Sequence, residues 1–141
     1  MTDTLTVFVF LGAIAAVGCL AFVMVAFGRR SSGNLDAAVY QKRWMAIEQT
    51  LSRDVETSHQ LVVLQADKLL DQALRAKGLP GKTMGERMKS AQSMWSNANA
   101  VWGAHKLRNQ IAHDNNVKVQ YNDARRALGS FKQGLKDLGA I

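Results

Sequence analysis

From residue 36 to residue 138 the apolar positions recur at a helix period, and no segment shows the strict alternation of a strand. Between Asp36 and Lys77 there is neither glycine nor proline. There Tyr40, Trp44, Ile47, Leu51, Val55, Ser58, Val62, Ala66, Leu69 and Ala73 follow one another at steps of three and four. The stretch reads as one helix of roughly 60 Å or as two helices broken near Thr57-Ser58-His59. Residues 36–58 carry fewer apolar positions than the rest, so they are expected to form a stalk, or the first part of a long helix, ahead of a bundle at 59–141. Gly78-Leu79-Pro80-Gly81 stops the helix, because glycine closes it and proline cannot continue it.

Thr83 followed three residues later by Glu86 is the pattern of a capping box and predicts a second helix from Met84 to about Met94. A third is expected from Trp95 or Asn97 to His113 or Asp114, closed by the turn residues Asp114-Asn115-Asn116. A fourth spans Val119 to Leu138, with Tyr121, Ala124, Leu128, Phe131, Leu135 and Leu138 on one stripe. The predicted fold class is all-α: an N-terminal transmembrane helix followed by an antiparallel, up-and-down bundle of about four helices.

The anchor is read from Val7 to Phe27, 21 residues without a charge, enough to cross a bilayer core of about 30 Å. Arg29 and Arg30 follow at once, whereas only Asp3 precedes it, which predicts a cytoplasmic C-terminal domain in the cell membrane. Residues 1–28 are thus expected to be a single-pass anchor, with membrane contact over 5–28, and 29–35 a polar hinge. A cleaved signal peptide fits less well, because the start lacks a basic region. Cys19, the single cysteine, lies inside the run, so neither a disulfide within the chain nor a cysteine-rich zinc site is available.

The net charge of +7 is uneven. Six basic residues balance six acidic ones between Asp36 and Lys77, whereas ten face four from Lys82 onward. That surplus favours a polyanionic partner, RNA or anionic lipid.

The same half holds the chemistry. In Trp102-Gly103-Ala104-His105-Lys106-Leu107-Arg108-Asn109-Gln110-Ile111-Ala112-His113 an arginine and a histidine stand five residues apart on a predicted helix. A guanidinium holds a phosphate by paired hydrogen bonds, and an imidazole moves protons near neutral pH. At 100° per residue Ala100, Ala104, Leu107 and Ile111 form the expected core stripe, with Arg108 at its edge. Trp95, Trp102, Asn109 and His113 fall on the opposite side, a face expected to meet a second copy of the chain. Packing of both tryptophans on the second helix is the competing expectation, and for His113 a helix cap. No metal site is expected: His105 and His113 are about 12 Å apart along the helix and lack neighbouring carboxylates. His59 reads as a satisfied or exposed helix residue.

Leu107-Arg108-Asn109-Gln110-Ile111-Ala112-His113 resembles the Arg-x4-6-His signature of the HEPN superfamily, in its Arg-Asn-x-x-x-His form, on the third helix of a four-helix bundle. The resemblance covers about 60–138. It implies a homodimer whose two copies contribute Arg108 and His113 to one cleft, and a metal-independent endoribonuclease without cofactor. Arg108 would hold the scissile phosphate, His113 would act as acid and base as the RNA 2′-hydroxyl attacks, and Asn109 would orient one of them. Lys106, Lys118, Arg125 and Arg126 are expected contacts to the RNA backbone. An antitoxin or nucleotidyltransferase partner is implied for toxin-like members. The branch with a tyrosine two positions after the histidine is disfavoured, since Asn115 stands there. Two other expectations remain: a non-catalytic RNA- or nucleotide-binding module of the same family, and a membrane-anchored helical scaffold whose basic face lies on anionic lipid or protein.

Overall fold

The computed structural model describes residues 14, 17–19 and 35–141. The expected anchor and hinge lie almost wholly outside the described residues, among which no helix is long and apolar enough to cross a membrane. Residues Ser32–Ile141 form a compact unit of their own. It is all-α: α1 (Ala37–Thr50), α2 (Glu56–Ala76), α3 (Met84–Ser90), a 3₁₀ turn (Gln92–Met94), α4 (Ala98–His113) and α5 (Tyr121–Asp137).

Local chemistry fixes most helix ends. Asp36 caps α1 by accepting from the Ala38 and Val39 amides. Thr83 and Glu86 form the predicted capping box at α3. Asn97 caps α4 by accepting from Ala100 N. Helix α2 ends in a Schellman motif: Gly78, at φ 76°, donates to Arg75 O and Leu79 donates to Leu74 O. Gly139, at φ 73°, closes α5 in the same way, and there Ala140 donates to Leu135 O.

Helix α1 runs opposite to α2, and α4 opposite to α5. Arg43 of α1 donates to Gln72 late in α2, whereas Ser52, just past α1, bonds Ser58 at the start of α2. Ser96, before α4, donates to Asp137 at the end of α5, so these two also run oppositely. Helix α2 is central and touches α1, α3, α4 and α5. Around it Trp44, Leu69, Leu70, Leu74, Met88, Phe131 and Leu135 are fully buried, each stabilising the fold by roughly 1.5–3 kcal/mol. At Gly134 an added Cβ would touch Leu70, Trp95 and Val101 at 3.4–3.5 Å, which shows how closely α5 approaches the core. At Gly103 and Gly129 it would meet nothing.

Three expectations are corrected. Residues 36–58 are neither a stalk nor the start of one long helix, because α1 buries Tyr40, Trp44 and Ile47 in the common core. The break after α1 falls at 51–55, ahead of the expected Thr57-Ser58-His59. Ser58 and His59 belong to the first turn of α2 and make the break: Ser58 Oγ accepts from Ser52 N and donates to Val55 O. The ring of His59, 6% exposed, sets Nε2 2.8 Å from Ser52 O and Nδ1 3.0 Å from Val119 O. These side chains compete with the helical ladder. Trp95 is in the core, its Nε1 donating to Met88 O at 3.0 Å, and so is not on a face open to a twin.

Two side chains on α1 titrate away from their ordinary values. Burial raises the Tyr40 phenol, against an opposing pull from Arg43. Burial also pushes Glu48 upward, but Lys132, Trp44 and Lys136 outweigh it and hold its carboxyl below the ordinary value. The Trp44 indole N–H acts here by proximity, since no acceptor meets it with good hydrogen-bond geometry.

Candidate functional site

The face of α4 that packs inward includes part of the expected stripe but is rotated from it toward Val101 and His105. Val101, Ala104 and His105 are buried, while Leu107 and Ile111 are only partly covered. Positions 101, 104, 105 and 108 lie on one side at helical spacing, so the helix turns two polar residues toward α2. The reason is on α2, where Asp67 shares a stripe with Val63, Leu70 and Leu74 and is buried with them. A carboxylate at such a place requires donors from across the interface.

Helix α4 supplies them. His105 Nδ1 lies 2.7 Å from Asp67 Oδ1, and Arg108 Nε lies 3.1 Å from Asp67 Oδ2. The second contact is electrostatic, because the Nε–H does not aim at the oxygen. Arg108 Nη1 donates to Asn109 Oδ1 at 2.9 Å, and Asn109 Nδ2 lies 3.3 Å from His105 Nε2. Trp102 presents an edge to the His105 ring, 6.1 Å between centroids.

Asp67, His105, Arg108 and Asn109 form one wall of a cleft of about 680 Å³ between α2, α3 and α4. Its other walls carry Lys68, Arg75, Lys82 and Arg87, a basic excess over Asp67 and Asp71. The cations differ in freedom. Arg87 is 6% exposed and spent: Nε and Nη2 donate to Asp71 Oδ1 at 2.9 and 2.6 Å, and Nη1 donates to Gly81 O at 2.8 Å. It clamps the loop before α3 onto α2. Gly81 is required there, since at φ 150° an added Cβ would stand 2.6 Å from Arg87 N. Arg75 shares Asp71 but is largely exposed. Arg108 is 37% exposed, and among the described residues its Nη2 has no hydrogen-bond partner.

The sequence-expected residues divide accordingly. Arg108 and Asn109 line the cleft. His113 is exposed at the last residue of α4 and makes no hydrogen bond among the described residues. Five residues of helix set it about 140° and about 7.5 Å from Arg108, so one copy of the chain does not bring the two into a single site. Lys106, Lys118, Arg125 and Arg126 are exposed and none lines this cleft. Lys118 borders a groove with Gln60 and Asn116, and Arg126 another with Leu107 and Asp123. Trp102, half-buried, packs on the core and donates weakly to Gln92 at 3.4 Å.

Sequence reasoning missed Asp67, His105, Lys68 and Lys82. The signal for the first two was present: an acid inside an apolar stripe of α2, and a His-x-x-Arg-Asn run that places three polar side chains on one helical face. Among the described residues no group of His, Cys, Asp and Glu is arranged to hold a metal ion. No protein-family model, curated protein or solved structure matches this chain.

Proposed function

We propose that the protein is a HEPN-like, membrane-tethered RNA-binding protein whose phosphodiester site is centred on Arg108, and that a pair of copies cleaves RNA without a metal. The observation that supports it is the state of the cleft. A half-exposed guanidinium with an unbonded Nη2 stands beside Lys68, Lys82 and Arg75 in a space large enough for a nucleotide unit. Such a group offers a charge-assisted bond to a phosphate oxygen. The basic surplus beyond Lys82 supplies the attraction for a polyanion.

The catalytic part of the reading assigns His113 to the proton transfers. Oxygen O2′ attacks phosphorus, the P–O5′ bond breaks, and imidazoles take the proton from O2′ and deliver one to O5′, leaving a 2′,3′-cyclic phosphate. Because His113 stands apart from Arg108 on its own helix, this reading requires the second copy. An N-terminal anchor over 5–28, an up-and-down bundle on the cytoplasmic side and a controlling antitoxin or nucleotidyltransferase partner complete the proposal.

The test incubates the full-length protein with single-stranded RNA in chelator, beside Arg108→Ala and His113→Ala. Wild type is expected to bind and cut. Arg108→Ala is expected to lose both, and His113→Ala only the cutting, by about a hundred-fold or more. Binding without cutting in wild type removes the nuclease and leaves the binding module. Indifference to RNA, with tight binding to anionic vesicles, removes both.

A further inference from the structure

We propose that Asp67 and His105 are positioning residues for Arg108, acting through Asn109 to fix the rotation of its guanidinium so that Nη2 is presented to a phosphodiester in the cleft. The proposal rests on reading the cleft as an RNA site. It adds two residues, one from another helix, to which no role in that site has been given.

The argument lies in the direction of each hydrogen bond. Arg108 Nη1 can only donate, so the Asn109 atom 2.9 Å away is its carbonyl oxygen, which fixes the amide. Asn109 Nδ2 then turns to His105 Nε2 at 3.3 Å, and that nitrogen must accept. The ring proton therefore sits on Nδ1 and is donated to Asp67 Oδ1 at 2.7 Å. The other Asp67 oxygen lies 3.1 Å from Arg108 Nε, a contact of charge rather than a hydrogen bond. Four side chains from two helices are thus joined by three hydrogen bonds and one charge contact, and reversing any of the three bonds breaks its neighbour.

Packing alone does not explain where this network ends. Arg87, on the same cleft, has all three of its nitrogens bonded within the chain and is almost wholly covered. Arg108 is held on two sides and left open on the third. A residue needed only to neutralise Asp67 would not require an asparagine and a histidine to set its orientation. A phosphate-binding guanidinium does, because a fork is useful only when it is aimed.

The test uses the full-length protein, a short fluorescein-labelled single-stranded RNA, and four variants: Arg108→Ala, His105→Leu, His105→Gln and Asp67→Asn. Glutamine can donate to Asp67 and accept from Asn109, so it preserves the network, whereas leucine cannot. His105→Leu and Asp67→Asn are expected to weaken RNA binding about ten-fold, and His105→Gln to stay within about two-fold of wild type. Histidine ¹⁵N spectra of the wild type are expected to show His105 protonated on Nδ1 with a hydrogen-bonded, unprotonated Nε2. The proposal is overturned by the opposite tautomer, by a folded His105→Leu that binds like wild type, or by equal losses in His105→Leu and His105→Gln. If His105→Leu does not fold, His105→Gln decides: folded and binding supports the proposal, folded and not binding ends it. Loss of RNA in Arg108→Ala with binding intact in the other variants removes this proposal alone. An Arg108→Ala that binds normally removes the RNA reading with it.

Discussion

The two buried histidines of this bundle are covered to nearly the same degree, yet their surroundings differ in kind. His59 has backbone carbonyls at both ring nitrogens, one from the α1–α2 connection and one from the stretch before α5. His105 has side chains at both, one acceptor and one donor, and lines a basic cleft. Main-chain partners tie segments of the fold together, and their loss leaves carbonyls stranded. Side-chain partners transmit an orientation to a further group. Burial does not separate a structural histidine from one that serves a site, but the identity of its partners does.

Substitutions can break or sharpen this contrast. The largest effect is expected from Arg87, which lines the same cleft as His105 but has every bond spent inside the fold, two on the Asp71 carboxylate and one on Gly81 O. Arg87→Met leaves Asp71 without its main partner and should cost about 3–4 kcal/mol in a denaturant melt, while the folded fraction still binds RNA. His59→Leu should cost about 2–3 kcal/mol by the same measurement, again with RNA binding retained. If it instead weakens RNA binding without destabilising, the contrast between the two histidines is gone. Gly81→Ala, which drives a methyl into the α3 backbone at a positive φ, is expected to cost about 2 kcal/mol.

The smallest effect is on α1. Lys132 of α5 donates to Glu48 at 2.8 Å, and both side chains are more than a third exposed. The folded state lowers the Glu48 value, so its contribution is present above the ordinary carboxylate range and fades as pH falls through the depressed one. A pH series of melts should therefore show Glu48→Gln less stable than wild type at neutral pH, by less than about 1 kcal/mol, with the difference vanishing in acid.

What was legible in the sequence follows from the range of the forces involved. The capping box of Thr83 and Glu86, the glycine stop at Gly78 and the turn at Asp114-Asn115-Asn116 are local, and all three stand where expected. The break at 51–55 was misplaced because it depends on Ser58 and His59 bonding backward, with Val119 holding the ring from 60 residues away. Trp95 was paired with Trp102 by helical rotation, but it precedes the Asn97 cap in extended backbone, where that rotation does not apply. The inward face of α4 was only partly legible for a related reason: Ala104, Leu107 and Ile111 do meet the core, but the face also turns to Val101 and His105. A stripe chosen by apolarity passes over His105, whose burial is made tolerable only by Asp67 on another helix. Arg108 and Asn109 were visible as chemistry; their supports were not.

The open space beside Gly103 and Gly129 bears on how this molecule can be studied. Both are helical, in α4 and α5, and an alanine at either meets no neighbour. Each replacement is expected to add about 0.5–1 kcal/mol of helix preference without touching the cleft. A doubly substituted background would then keep variants such as His105→Leu folded, allowing lost affinity to be told apart from a lost structure.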